Sequence, residues 1–276
     1  MNRNIKKIIK GMSTQDGAGV KLTRVLGARE VRDIDPFLML DAFDSKDPKD
    51  YTKGFPWHPH RGIETFTYLI SGKIEHQDSL GNKGILSDNE AQWMTAGSGI
   101  IHQEMPLAAD RMLGLQLWIN LPKIHKMTQP AYWDIKAKDI LEIKKADQTI
   151  RVISGELEGK KPLVQPKYVQ ARILDVALDL GATFELDTPS DKTIFIYLFE
   201  GLLKSPTDQT SIHDHSVALF EKGDKLVLQA QVSSRFALFE GLPLNEPVAF
   251  GGPIVMNTQA ELMEAFKELD EGTFIR

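Results

Sequence analysis

Apolar and polar residues alternate along most of this chain in short runs, broken by clusters of Gly, Asp, Asn and Pro. Such runs stand at Thr65–Ile70, Gly114–Leu121, Ile150–Ile153, Thr193–Phe199, Ser216–Phe220 and Phe236–Phe239. A period of two is the pattern of a half-buried strand. Many short strands separated by turn residues predict an all-β sandwich or barrel, not βαβ units. One helix is expected, near the C-terminus. Thr258-Gln259-Ala260-Glu261 has the form of a capping box, Leu262, Ala265, Phe266 and Leu269 then share a face, and Gly272 ends the run. The first ten residues are basic, without the apolar core or cleavage site of a secretory leader, and are expected to form an edge strand.

The two halves resemble each other. Phe66-Thr67-Tyr68-Leu69-Ile70-Ser71-Gly72 matches Phe195-Ile196-Tyr197-Leu198-Phe199-Glu200-Gly201, and Ala96-Gly97 matches Lys222-Gly223 about one hairpin later. Repetition at this scale predicts a duplicated β-barrel. The chain has 276 residues, long enough for two domains. The polar run Ala146 to Pro166 lies near the join, so the expected division is 1–145 and 146–276, with the helix in the second part.

Composition removes several chemistries. There is no Cys, so disulfides, thiolate zinc sites, iron–sulfur clusters and cysteine nucleophiles are excluded, and a metal could be held only by His and carboxylate. A net charge of −5 argues against direct nucleic-acid binding, which needs a basic face. No run approaches the roughly 18 apolar residues of a membrane span. A cytoplasmic protein is expected.

The histidines are unevenly placed. His58-Pro59-His60 precedes the first strand pair, and His102-Gln103-Glu104 lies farther on. In extended chain, residues at i and i+2 point to the same face. Two such pairs on neighbouring strands would converge three imidazoles and one carboxylate, a donor set suited to Fe(II), Mn(II), Ni(II), Cu(II) or Zn(II). Four ligands would leave two positions of a six-coordinate ion open for chemistry. A lone His-x-His is more often a solvated turn or core pair. The combination with Gly97-Ser98-Gly99-Ile100-Ile101-His102 is far more specific. His76 and His125, among polar residues, are expected to be solvated, and His213-Asp214-His215 to be an exposed turn or strand edge.

At these residues the chain resembles the pirin family. The segments that carry the resemblance are His58–Leu69 and Met94–Glu104, supported by Asp35–Asp41, Leu115–Pro122, Lys126–Pro130 and Gly252–Thr258. The resemblance spans nearly the whole chain. It implies a bicupin: two cupin-type β-barrels, or double-stranded β-helices, with a short C-terminal helix. It also implies one divalent metal ion, usually iron as Fe(II), bound by His58, His60, His102 and Glu104. Glu64 competes for the carboxylate role, because in cupins generally that ligand follows His-x-His by a few residues and its even parity would aim it inward; otherwise it is expected to orient a ligand imidazole. In the second half, alignment on Tyr197 and Gly223 puts Asp187, Pro189, Leu228 and Ala230 where the ligands would stand, so no metal is expected there.

The remaining expectations concern the pocket. If no bulge intervenes, Phe66 and Tyr68 share the parity of the ligands and face the barrel interior; Met39 and Gln116 are pocket residues by resemblance alone. Trp57, Trp93, Trp118 and Trp133 could line a flavonoid-sized pocket, though aromatic residues in barrels are more often core. The resemblance further implies a quercetinase-like dioxygenase acting on an aromatic or enolic small molecule and O2, with Glu104 as ligand and base. The alternatives are a dioxygenase for another enolic metabolite, and a non-catalytic, iron-sensing co-regulator that binds a protein partner.

Overall fold

The computed structural model describes residues 1–275. It is built almost wholly from antiparallel strands, and its one long helix is Gln259–Asp270. That helix begins with the expected capping box. Thr258 accepts from the Glu261 backbone N–H, and the Glu261 carboxylate accepts from the Thr258 N–H. Leu262 and Ala265 are buried, whereas Phe266 remains 39% exposed. Among the described residues, no helix is long and apolar enough to cross a membrane.

The chain divides into two compact units, each with one seven-stranded and one four-stranded sheet. In the unit that carries the histidine motifs, the large sheet runs in the order Ala131–Ile135, Ala91–Thr95, Ile63–Ser71, Met112–Asn120, Phe37–Ser45, Val20–Leu26 and Met12–Asp16. The small sheet runs Phe55–His60, Ile100–Leu107, Lys73–Asp78 and Lys83–Leu86. The other unit repeats this plan. Its large sheet places Ser216–Phe220, Thr193–Glu200, Ser234–Gly241, Arg172–Leu178 and Gln148–Ser154 in sequence, and its small sheet runs Thr183–Asp187, Lys225–Ala230, Leu202–Lys204 and Ser211–His213. These are the two β-barrels that the duplicated pattern predicts, of the cupin type that the resemblance implies.

The units are not the contiguous halves expected from a cut at 145/146. One comprises Met1–Met12, Arg29–Pro36 and Lys138–Pro243; the other comprises Ser13–Ala28, Phe37–Ala137 and the chain from Leu244 onward. Backbone pairing and buried cations explain the exchange of ends. Ile5–Lys10 pairs with Ser216–Phe220, and the buried Arg3 guanidinium donates to the carbonyls of Glu221, Pro189 and Lys192. At the other end, buried Arg61 donates to the carbonyls of Ser98 and Phe274, pairs with Glu268 at 2.6 Å, and lies 4.1 Å over the Phe274 ring. The C-terminal helix therefore belongs with the barrel that holds the histidines.

The interiors of the two barrels differ. The repeat unit is filled by one continuous apolar cluster that includes Val152, Leu174, Phe184, Leu186, Ile196, Leu226, Leu228 and Phe236. Phe184 faces Leu228 and Leu186 faces Leu226 across the strand pair that corresponds to the motif strands. Asp187 and Pro189, which sequence alignment put at the ligand positions, lie beyond them. The reason is a longer turn. Residues 188–192 separate the two strands here, against only Arg61 and Gly62 in the other barrel. In the histidine-bearing barrel, Val20, Leu22, Phe43, Leu69, Ile74, Leu86 and Met112 form the apolar cluster, while polar residues occupy the inward positions farther along the same strands.

Two glycines let the motif strands meet. Gly62 (φ +77) turns the chain out of the small sheet into the large one, and a Cβ there would run into the Val255 carbonyl oxygen. Gly97 (φ +52) opens the turn into the strand of His102, and a Cβ there would meet the Thr128 carbonyl oxygen. Both positions combine a left-handed backbone with a close backbone contact, so a side chain at either would strain the turn and displace the neighbouring carbonyl. Gly62→Ala is expected to cost about 2 kcal/mol or more of unfolding free energy. Chemical denaturation measures this; a loss within about 0.5 kcal/mol would show that the turn adapts.

Candidate metal centre

Strand pairing brings the imidazoles together. His58 and His60 lie two apart on Phe55–His60, and His102 on Ile100–Leu107 stands directly opposite His58. The ring centroids are 4.9 Å (His58–His60), 4.3 Å (His58–His102) and 5.0 Å (His60–His102) apart. One ring nitrogen from each lies within 4.8 Å of the others. His60 and His102 are buried and His58 is half-buried.

Hydrogen bonding fixes what these rings offer. His58 Nδ1 is 2.8 Å from the Pro56 carbonyl and His60 Nδ1 is 3.0 Å from the Pro253 carbonyl. A carbonyl only accepts, so Nδ1 carries the proton in each ring, and the Nε2 lone pair is left free. Holding the distal nitrogen in this way is how proteins orient metal-ligating imidazoles. His102 is different: both its ring nitrogens are buried and have no hydrogen-bond partner. A buried polar group left so is costly, and a metal ion is the partner that would relieve it. Burial, reinforced by His58, pushes the His60 imidazolium down to about pKa 3; burial and the neighbouring histidines hold His102 well below the usual range. Both are neutral at physiological pH, the form that ligates. The cluster fits a divalent ion.

The carboxylates separate cleanly. Glu104 is buried, and its side chain accepts from Gln116 Nε2 at 2.8 and 3.1 Å and from Thr67 Oγ1 at 3.3 Å. Gln116 is held in turn by Trp118, whose indole N–H donates to Gln116 Oε1 at 3.2 Å. Since Oε1 is occupied by a donor, the amide must turn Nε2 towards Glu104. Glu104 lines the same cavity as His58 and His60, though it stands outside the tight imidazole group.

Glu64 does not reach this site. Thr67 and Gln116 face each other and both contact Glu104, so Glu64, Phe66 and Tyr68, of opposite parity to Thr67, lie on the far face of the sheet. There Glu64 accepts from Thr95 Oγ1 at 2.6 Å, and Phe66 packs edge-on against Trp93. The expectation that Glu64 is a ligand or orients one, and that Phe66 and Tyr68 face the barrel interior, is therefore corrected. The Gly62 turn passes the chain between sheets, and side-chain parity counted from His60 does not survive it.

Met39 and Gln116 do line the cavity, which encloses about 310 Å³. Its apolar walls are Met39, Phe43, Phe55, Trp118 and Phe250; its polar side is Arg24, Asp41 and Asp16. Trp118 touches His60 edge-on at 5.1 Å and lies nearly parallel to Phe250, 12° apart at 6.2 Å. Of the other tryptophans, Trp93 is core, while Trp57 and Trp133 are exposed. Sequence reasoning missed Arg24, Asp41 and Phe250. Asp41 shares the parity of Met39, which was the available signal. His76 is also corrected: it is buried, stacks on Tyr132 at 4.4 Å and lies 5.3 Å from His102. Its strand alternates inward and outward, so polar sequence neighbours were a poor guide. His125 is half-buried, and His213, Asp214 and His215 are exposed as expected.

Two cupin barrels, one with a converging imidazole cluster at a cavity and the other filled by apolar side chains, define a bicupin with a single candidate centre among the described residues. Residues 19–119 match the family model described as Pirin, and residues 173–275 match that of the Pirin C-terminal cupin domain. A pirin-like protein of Caulobacter vibrioides is 41% identical over 99% of both chains. A protein of Pseudomonas aeruginosa, whose name proposes quercetin 2,3-dioxygenase activity, is 36% identical over 98% of this chain and 97% of its own. The crystal structure of quercetin 2,3-dioxygenase from Acinetobacter baumannii superposes with a TM-score of 0.91, at 30% identity and 99% coverage of both chains. The chain belongs to the pirin family.

Glu64 supplies a test of the corrected assignment. Burial, only partly offset by hydrogen bonds from Thr95 and Trp93, raises its carboxyl from 4.5 to about 7. Between those values the folded chain keeps a proton that the unfolded chain has released, so stability falls as pH rises through this window. Glu64→Gln removes that loss. Relative to the parent, the variant is expected to gain about 1–3 kcal/mol on going from pH 4.5 to pH 8, with metal stoichiometry unchanged. Lost metal would instead make Glu64 a ligand.

Proposed function

We propose that this chain is a metal-dependent dioxygenase that opens the ring of a flavonol such as quercetin, with His58, His60, His102 and Glu104 holding one divalent ion, Fe(II) in first place. The observation that supports this most is the buried, unpartnered His102 between two imidazoles whose distal nitrogens are already tied to carbonyls. The name of the Acinetobacter structure supports the substrate class. When bound, the ion supplies Lewis acidity towards a substrate hydroxyl and the redox capacity that reaction with oxygen requires.

The chain's own residues do the rest. Glu104 accepts the proton of the enolic hydroxyl, and its rotamer is held for this by Gln116 and Thr67. Trp118 fixes the Gln116 amide, so the base stays aimed without reorganisation during the reaction. Met39, Phe43, Phe55, Trp118 and Phe250 offer a flat ring an apolar slot and keep water from the oxidised substrate. Both atoms of O2 enter the opened product, and one ring carbon leaves as carbon monoxide.

The test is anaerobic reconstitution with Fe(II), followed by quercetin and then oxygen, reading flavonol absorbance and carbon monoxide together. One ion per chain and stoichiometric carbon monoxide are expected. His102→Ala should lose the ion, whereas Glu104→Gln should keep part of it and open the ring about 100-fold more slowly. Tight ion binding with no carbon monoxide would contradict the proposal.

A further inference from the structure

A row of polar side chains crosses the large sheet away from Glu104. Thr67 faces Gln116, Gln116 faces Asp41, and Asp41 faces Arg24 on successive strands. Adjacent strands lie about 5 Å apart, so Asp41 stands one step beyond the Glu104 clamp and Arg24 two. On either side the row is flanked by apolar cavity residues, Met39 and Trp118 above and Phe43 below. A polar row inside an apolar slot is a directional feature that packing alone does not require.

Its chemistry is specific. Arg24 grips Asp41 bidentately, Nε to Oδ1 at 2.9 Å and Nη2 to Oδ2 at 2.7 Å, and Nη2 also reaches Asp16 Oδ2 at 2.8 Å. Asp41 is 4% exposed and lines the cavity, and each of its oxygens accepts one bond from Arg24, which leaves both with acceptor capacity to spare. Two carboxylates share one guanidinium, so this wall has an excess of negative charge. It favours a neutral ligand that donates and disfavours an anion.

We propose that Asp41, positioned by Arg24, selects ligands that carry hydroxyl groups on the ring remote from the imidazole cluster, and that the pocket rejects those bearing a carboxylate there. The inference rests on the reading of the cavity as a flavonol-type site. The occupant is a planar, polyhydroxylated, uncharged aromatic molecule. Its enolic end lies by Glu104, and its far hydroxyl donates to Asp41.

The experiment reads binding without turnover. Protein loaded with redox-inert Zn(II) under argon is titrated, by quenching of tryptophan fluorescence, with three probes. These are quercetin, 3-hydroxyflavone, and 3-hydroxyflavone carrying a carboxylate on the pendant ring. Quercetin is expected to bind about tenfold or more tighter than 3-hydroxyflavone, as for a hydrogen bond to a charged acceptor, and the carboxylate probe weakest. In Asp41→Asn the affinities for the first two should come within about threefold of each other. A wild-type protein that binds all three alike, or a quercetin preference that survives Asp41→Asn, overturns the inference and leaves the flavonol reading standing. Binding of none of the three overturns both. Should Asp41→Asn fail to fold, the wild-type series decides alone.

Discussion

A buried imidazole with no hydrogen-bond partner is the constraint around which this barrel is arranged. His102 sits in a strand paired on both sides, close to His58, His60 and His76, and neither of its ring nitrogens has a hydrogen-bond partner. Burial and the neighbouring imidazoles make charging it costly there. Its neighbours make the same point from the other side. His58 and His60 each spend Nδ1 on a carbonyl, which turns their second nitrogen inward. Such an arrangement costs stability unless something electron-poor shares the three lone pairs.

The rest of the barrel follows from that demand. The Gly62 turn ends the His-x-His strand and sends the chain into the large sheet, so Thr67 and Gln116 can clamp Glu104 from the opposite wall. The carbonyl that holds His60 comes from Pro253, close to the C-terminal helix, and Arg61 ties the tail to the turn beside the motif. The repeat barrel shows the same plan without the demand. Phe184, Leu186, Leu226 and Leu228 occupy the corresponding strand pair, and an apolar cluster closes the interior. The frame occurs twice, and among the described residues the imidazole cluster stands in only one copy.

Much of this was legible in the sequence because it depends on local rules. Alternation located the strands, the capping box located the helix, and the spacing of His58, His60 and His102 needed only the parity of extended chain. What failed were readings carried across a break in that parity. Glu64 looked inward because parity was counted through Arg61 and Gly62, where the chain changes sheet. The same miscount placed Phe66 and Tyr68 inside. The repeat ligand positions slipped for a related reason, a longer turn at 188–192. Domain ends were out of reach because Arg3 and Arg61 are anchored by residues far away in the chain. Nothing in the sequence linked Arg24 to Asp41; strand register aligns both with Gln116.

Anomalous diffraction from crystals of Co(II)-loaded protein locates directly the ion that these imidazoles would share. One cobalt per chain is expected, bonded at about 2.0–2.2 Å to nitrogens of His58, His60 and His102 and to a carboxylate oxygen of Glu104. Cobalt bound without Glu104, bound by Glu64, or absent from the three imidazoles would contradict it.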